Sequence, residues 1–157
     1  MDARVRTSLG GGAPKTQDRW WAQKGAGSFH NGQKMQVSAI SELEKAQIFH
    51  GSLYGPEAKT TPPTLLTLLS RSYRQRGVGD YLAHMFVAMG AGEAGIDFGL
   101  KAWDIAPIKV IVEEAGGTCS DARGQNSIYS PSLVTSNTKL HHQVLEILDA
   151  DSISSSI

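Results

Sequence analysis

Three carboxylates stand where this sequence can place ligand chemistry: Asp80, Asp97 and Asp104. Asp104 follows Trp103 where a loop runs into a helical pattern, so its oxygens lie near a helix N-terminus. Hard divalent cations such as Mg²⁺ take oxygen ligands and often use only one or two carboxylates beside a substrate phosphate. The same position suits a plain helix cap, and spacing alone favours the cap. Asp97 precedes Phe98-Gly99-Leu100 and reads as a strand-end or turn carboxylate. Asp80 opens another helical pattern and reads as its N-cap. No nucleophile–base pair is evident, so no residue is assigned a catalytic role of that kind. The five histidines show no metal-type spacing, and the adjacent His141 and His142 cannot share a helix face. Cys119 has no flanking base and reads as a small buried residue. Arg74 and Arg76 are scattered cations of the kind usually found solvated. Glu113 and Glu114 suit a solvated helix face or salt bridges.

The elements that must position these groups alternate between strand and helix. Arg19–Gln23 is a short aromatic strand, and Ser28–His30 leads through Asn31-Gly32 to an alternating run, Lys34–Ser38. Asn-Gly between short strands predicts a hairpin. Ala46–Gly51 predicts a strand, and Thr61-Pro62-Pro63 opens a helix carrying Leu65, Leu66, Leu68 and Leu69. A basic strand at Tyr73–Gly77, a helix over Asp80–Met89 and an extended piece at Glu93–Asp97 follow. Ile108, Ile111, Val112 and Ala115 recur at helical spacing before Gly116-Gly117, which predicts a helix over Asp104–Ala115 with a glycine stop. Strands at Thr118–Ser120 and Leu133–Thr135 precede a closing helix at Leu140–Leu148. This alternation predicts an α/β layered domain.

Trp103-Asp104-Ile105-Ala106-Pro107, followed by Val110 to Gly117, resembles the second signature of the inositol monophosphatase family, Mg²⁺-dependent phosphomonoesterases. The run Trp21 to Phe29 with Asn31-Gly32 and Val37-Ser38 is similar to the hairpin before that family's second domain. The resemblance spans about Arg19 to Leu148 and implies the C-terminal α/β/α half of the fold, a mixed sheet flanked by helices. It implies that Asp104 is a metal ligand, that Asp97 contacts substrate hydroxyls, and that the ligand is a small phosphate ester. Gly77-Val78-Gly79-Asp80-Tyr81 is similar to the histidinol-phosphatase branch, which implies that Asp80 meets the cationic end of histidinol phosphate; inositol phosphate is the alternative substrate. The resemblance also implies a homodimer for full-length members.

The family's first signature, an Asp-Pro-Ile-Asp-Gly-Thr type run, does not occur in this sequence, and neither does the upstream helix with a metal-binding Glu. The other carboxylate ligands are therefore missing, and the chain taken alone is expected to be inactive. Its expected role then narrows to a truncated enzyme, or to a remnant serving folding or dimerisation.

Bulk properties exclude other classes. Fifteen basic and fifteen acidic side chains cancel, so no global field draws nucleic acid or an anionic membrane. No apolar run approaches the roughly 20 residues that span a bilayer. The lone cysteine rules out an intrachain disulfide, and Met1 to Pro14 lacks an apolar signal core. The expected setting is cytoplasmic. The expected organisation is a loose arm at 1–18, a hairpin and strands left from a first domain at 19–50, the phosphatase half at 51–149, and a frayed tail at 150–157.

Overall fold

The computed structural model describes residues 4–8, 18–54 and 61–149. Two sheets and four helices stack in layers among them. An antiparallel sheet carries β1 (Arg4–Ser8), β2 (Arg19–Gln23), β3 (Gly27–His30) and β4 (Gln33–Lys34) in sequential order. A mixed sheet carries β5 (Gln47–His50), β6 (Arg74–Gly77), β7 (Ala94–Phe98), β8 (Gly117–Ser120) and β9 (Ser132–Asn137) in the order β6-β5-β7-β9-β8. Within it β6, β5 and β7 are parallel, and β9 runs antiparallel to both β7 and β8. Helices α1 (Thr64–Arg71) and α4 (His141–Leu148) cover one face, and α2 (Leu82–Ala88) and α3 (Ala102–Glu114) cover the other. The expected mixed sheet flanked by helices is present, with the antiparallel sheet as a further layer outside α3.

Strand alternation explains how one sheet feeds two cores. Ile48, Ala94, Ile96 and Val134 point toward Leu65, Leu68, Val144 and Ile147 of α1 and α4. Their neighbours Phe49 and Leu133 point the other way, into the α2–α3 layer. Each fully buried aliphatic side chain contributes about 1.5–3 kcal/mol by leaving water. Leu66, on the outer stripe of α1, is exposed.

Two local expectations are corrected. Arg4–Ser8, inside the stretch expected to be a loose arm, is a strand; its backbone pairs antiparallel with the outer edge of β2. The other residues of 1–17 and those of 150–157 lie outside the described residues. The strand expected over Lys34–Ser38 ends at Lys34, because the chain leaves the sheet to run against the end of α3, where the Val37 N–H donates to the Ala115 carbonyl at 3.1 Å.

Glu114 does more than face solvent. Its two carboxylate oxygens accept the Gly25 and Gly27 N–H groups at 2.8 and 3.0 Å, fastening the β2–β3 turn to the end of α3. Glu113 pairs instead with Lys109 one turn back. Glu114→Ala should lower unfolding stability by about 1–2 kcal/mol, the worth of charge-assisted bonds that leave two turn donors unpaired. An unchanged urea midpoint would show that the hairpin docks without this clamp.

Candidate active site at the carboxyl edge of the mixed sheet

Because β6, β5 and β7 are parallel, their carboxyl ends at Gly77, His50 and Phe98 lie along one edge. Open α/β sheets bind ligands outside such an edge, where strand ends hand over to loops. All three candidate aspartates belong to it: Asp80 follows β6, Asp97 is the penultimate residue of β7, and Asp104 lies in the first turn of the helix after β7.

Asp104 is the third residue of α3 and is exposed. Its Oδ2 accepts the Lys101 N–H at 3.0 Å, the acidic half of a capping box that satisfies one free donor at the helix start. Its Oδ1 carries no hydrogen bond among the described residues. The cap and the ligand roles therefore divide between two oxygens of one group. A solvent-facing hard oxygen fits Mg²⁺ as one of several ligands. Among the described residues no three His, Cys, Asp or Glu side chains gather as a metal-binding group.

Asp97 is nearly buried, and its Oδ1 accepts the Phe98 N–H at 2.8 Å. The sequence reading missed what makes room for it. A Cβ placed on Gly51, just past the end of β5, would stand 2.2 Å from Asp97 Oδ1 and 2.8 Å from Cγ. Glycine at 51 thus seats this carboxylate against the end of the neighbouring strand. The Gly51 N–H donates to Ile96 O at 3.0 Å, which holds the two strand ends together. Gly-Ser after a strand was the available signal, and its meaning needed the β5–β7 pairing.

Asp80 does not cap α2. Tyr81 occupies the cap position with helical backbone angles and no side-chain cap bond. Asp80 itself has φ of +60°, the left-handed region that aspartate and asparagine enter more readily than other non-glycine residues. The exposed Asp80 carboxylate makes no cap bond to α2 among the described residues.

Beside Asp80 the second sheet contributes an aromatic and acidic cluster that spacing did not reveal. The Tyr81 ring lies 5.9 Å from Trp20, and Trp20 stacks on His30 at 4.6 Å with 9° between planes. Asp18 Oδ1 accepts from His30 Nε2 at 3.0 Å and from Asn31 Nδ2 at 2.9 Å. These bonds hold the Asp18 carboxyl below its usual range, Asn31 contributing most. Burial pushes the Tyr81 phenol up, and the charges of Asp80 and Asp18 push it further.

The remaining groups serve the scaffold. His84 is fully buried and His141 bridges Ser120 and Ser136 at 2.9 and 2.7 Å. Arg76 donates to the Gln75 carbonyl and Arg74 lies over the Tyr73 ring, both on the edge strand. Trp103 is exposed where Trp20 is core. Cys119 is buried and its thiol is pushed up by burial, which leaves it without thiolate reactivity.

The three aspartates thus line the carboxyl edge of a layered α/β half, the edge where open α/β sheets bind ligands. The model of the inositol monophosphatase family matches residues 12–152, and the chain belongs to that family. It is 32% identical over 143 residues to the histidinol-phosphatase of Mycobacterium tuberculosis, covering 88% of this chain and 55% of that protein. Among solved structures it resembles the IMPase of Thermotoga maritima, with TM-score 0.76 and 26% identity over 88% of this chain and 54% of that one. It also resembles a Ca-bound IMPase family protein from Staphylococcus aureus, with TM-score 0.72 and 29% identity over 86% of this chain and 51% of that one. The chain spans about half the length of the curated relatives it matches. The family is metal-dependent and acts on small phosphate esters. No helix among the described residues is long and apolar enough to cross a membrane.

Proposed function

We propose that this chain supplies the substrate-binding half of a Mg²⁺-dependent phosphomonoesterase whose substrate is histidinol phosphate. The observation that carries the substrate is the left-handed Asp80, whose carboxylate is exposed and not spent on capping α2. An acid so placed pairs with the amine or imidazole of histidinol phosphate, and it has nothing comparable to pair with on inositol. Asp104 holds one position on the metal through Oδ1 while Oδ2 stays on Lys101, so the helix fixes the ligand's orientation. Bound Mg²⁺ supplies Lewis-acid polarisation of the ester and lowers the pKa of a bound water. Asp97, seated by Gly51, lies on the same edge and suits a substrate hydroxyl. That position supports inositol phosphate as the second reading.

We read the whole enzyme as a cytoplasmic homodimer with no nucleic-acid partner; the cancelling side-chain charges support the last of these. In the enzyme completed by its other metal ligands, Asp80→Ala should raise KM for histidinol phosphate about tenfold or more, the loss of one charge-assisted contact, and change that for inositol phosphate little. Equal losses on both substrates would reduce Asp80 to a structural turn residue.

A further inference from the structure

We infer that His30, bonded to Asp18 and stacked on Trp20, is a positioning residue for Asp80, acting across the boundary between the two sheets. The inference rests on the reading of Asp80 as the specificity carboxylate, and it adds the device that aims it. Nothing in α2 fixes Asp80: it precedes the helix, has left-handed backbone angles and makes no cap bond. The group that does hold this point is its neighbour Tyr81, whose carbonyl takes the His84 and Met85 N–H groups at 3.1 Å and whose ring meets Trp20.

Trp20 is the buried member of a chain that leads outward. It is 4% exposed, its indole N–H donates to Met89 Sδ at 3.4 Å, and its outer face is covered by the His30 ring. The His30 ring, itself held by Asp18, completes the outer wall of the site that the core and the Met89 bond form around the indole. Asp18 is fixed in turn by Asn31, whose Oδ1 takes the Arg19 N–H at 2.9 Å. The strand ends of β2 and β3 therefore carry a built bracket whose inner end presses on the residue next to Asp80. Removing His30 opens one face of the Trp20 site, so that the indole and Tyr81 pack less tightly and the turn at Asp80 samples other backbone states.

Hydrogen exchange on the full 157-residue chain tests this. With His30→Ala, amides of residues 78–82 should exchange about tenfold faster while those of β7 and β9 stay at wild-type rates. Asp18→Asn, a milder change on the surface, should move the same amides in the same direction, and His30→Phe, which keeps the stack but loses the Asp18 bond, should restore only the part of the protection that stacking supplies. Unchanged exchange at 78–82 in both His30→Ala and Asp18→Asn would overturn the proposal. Binding of L-histidinol, measured by calorimetry with inositol as control, separates the two levels. Loss of histidinol affinity in His30→Ala that is not additive with Asp80→Asn supports positioning, and full additivity overturns it. A wild-type chain indifferent to histidinol would remove the substrate reading, and the exchange result would still decide whether the bracket holds the turn.

Discussion

Replacing Gly51 with alanine should destabilise the chain by about 1–3 kcal/mol, although the residue lies past the end of a strand and lacks a left-handed backbone. The cost comes from one contact: the new methyl would enter the space of the Asp97 carboxylate, 2.2 Å from Oδ1. Either that carboxylate leaves its bond to the Phe98 N–H or the ends of β5 and β7 part. A double-mutant cycle isolates the cause. Once Asp97→Ala has removed the carboxylate, Gly51→Ala should cost less than about 0.5 kcal/mol in urea unfolding. Additive effects would mean that Gly51 matters for some reason other than seating Asp97. The same substitution in the completed enzyme should impair use of any substrate whose hydroxyl Asp97 meets.

Acid should weaken the fold through His84. Thr135 Oγ1 donates to the Gly95 carbonyl at 3.4 Å, so it accepts the His84 Nδ1 proton at 2.8 Å, and Nε2 is left a buried acceptor without a partner among the described residues. The ring can take a second proton only by placing a charge in a dry layer. Burial accordingly lowers its pKa from 6.5 to about 3. The folded pKa lies below the unfolded one, so the unfolded chain binds the extra proton first as pH falls. Stability is fully present above pH 6.5 and drains between there and about 3. At about pH 4.5 the loss should be roughly 3 kcal/mol relative to neutral pH, at 1.36 kcal/mol per unit. His84→Leu removes this titration while other groups titrate in both proteins. The difference between the two stability–pH curves should therefore narrow by that amount on acidification. Parallel curves would show that His84 is charged without cost in the folded chain.

Local pattern made most of the scaffold legible, because burial here follows period. Ile108, Ile111 and Val112 declared α3, and Asn31-Gly32 declared the β3–β4 hairpin, since each signal acts within a few residues. What failed required contacts distant in sequence. Asp80 reads as a cap from its neighbours, yet Tyr81 takes the cap position and Asp80 stands before it with left-handed backbone angles. Lys34–Ser38 alternates like a strand, yet the end of α3 recruits Val37. For the site, Asp104 stood out through its signature, and the structure splits its two oxygens between cap and solvent. The Gly51–Asp97 seat joins two strands far apart in the chain, and the Asp18–His30–Trp20 bracket, though local to the β2–β3 pair, rests on side-chain contacts that strand pairing alone does not specify.

Asp104 is proposed as one ligand of a Mg²⁺ site that the rest of the enzyme completes. Phosphate release from histidinol phosphate in Mg²⁺ tests it most directly, comparing the chain alone with the chain joined behind the first-signature half of a histidinol-phosphatase relative. No release is expected from the chain alone, and the joined protein should show Mg²⁺-dependent turnover that Asp104→Asn lowers by about a hundredfold or more. Turnover by the chain alone, or full activity of the joined Asp104→Asn protein, would contradict it.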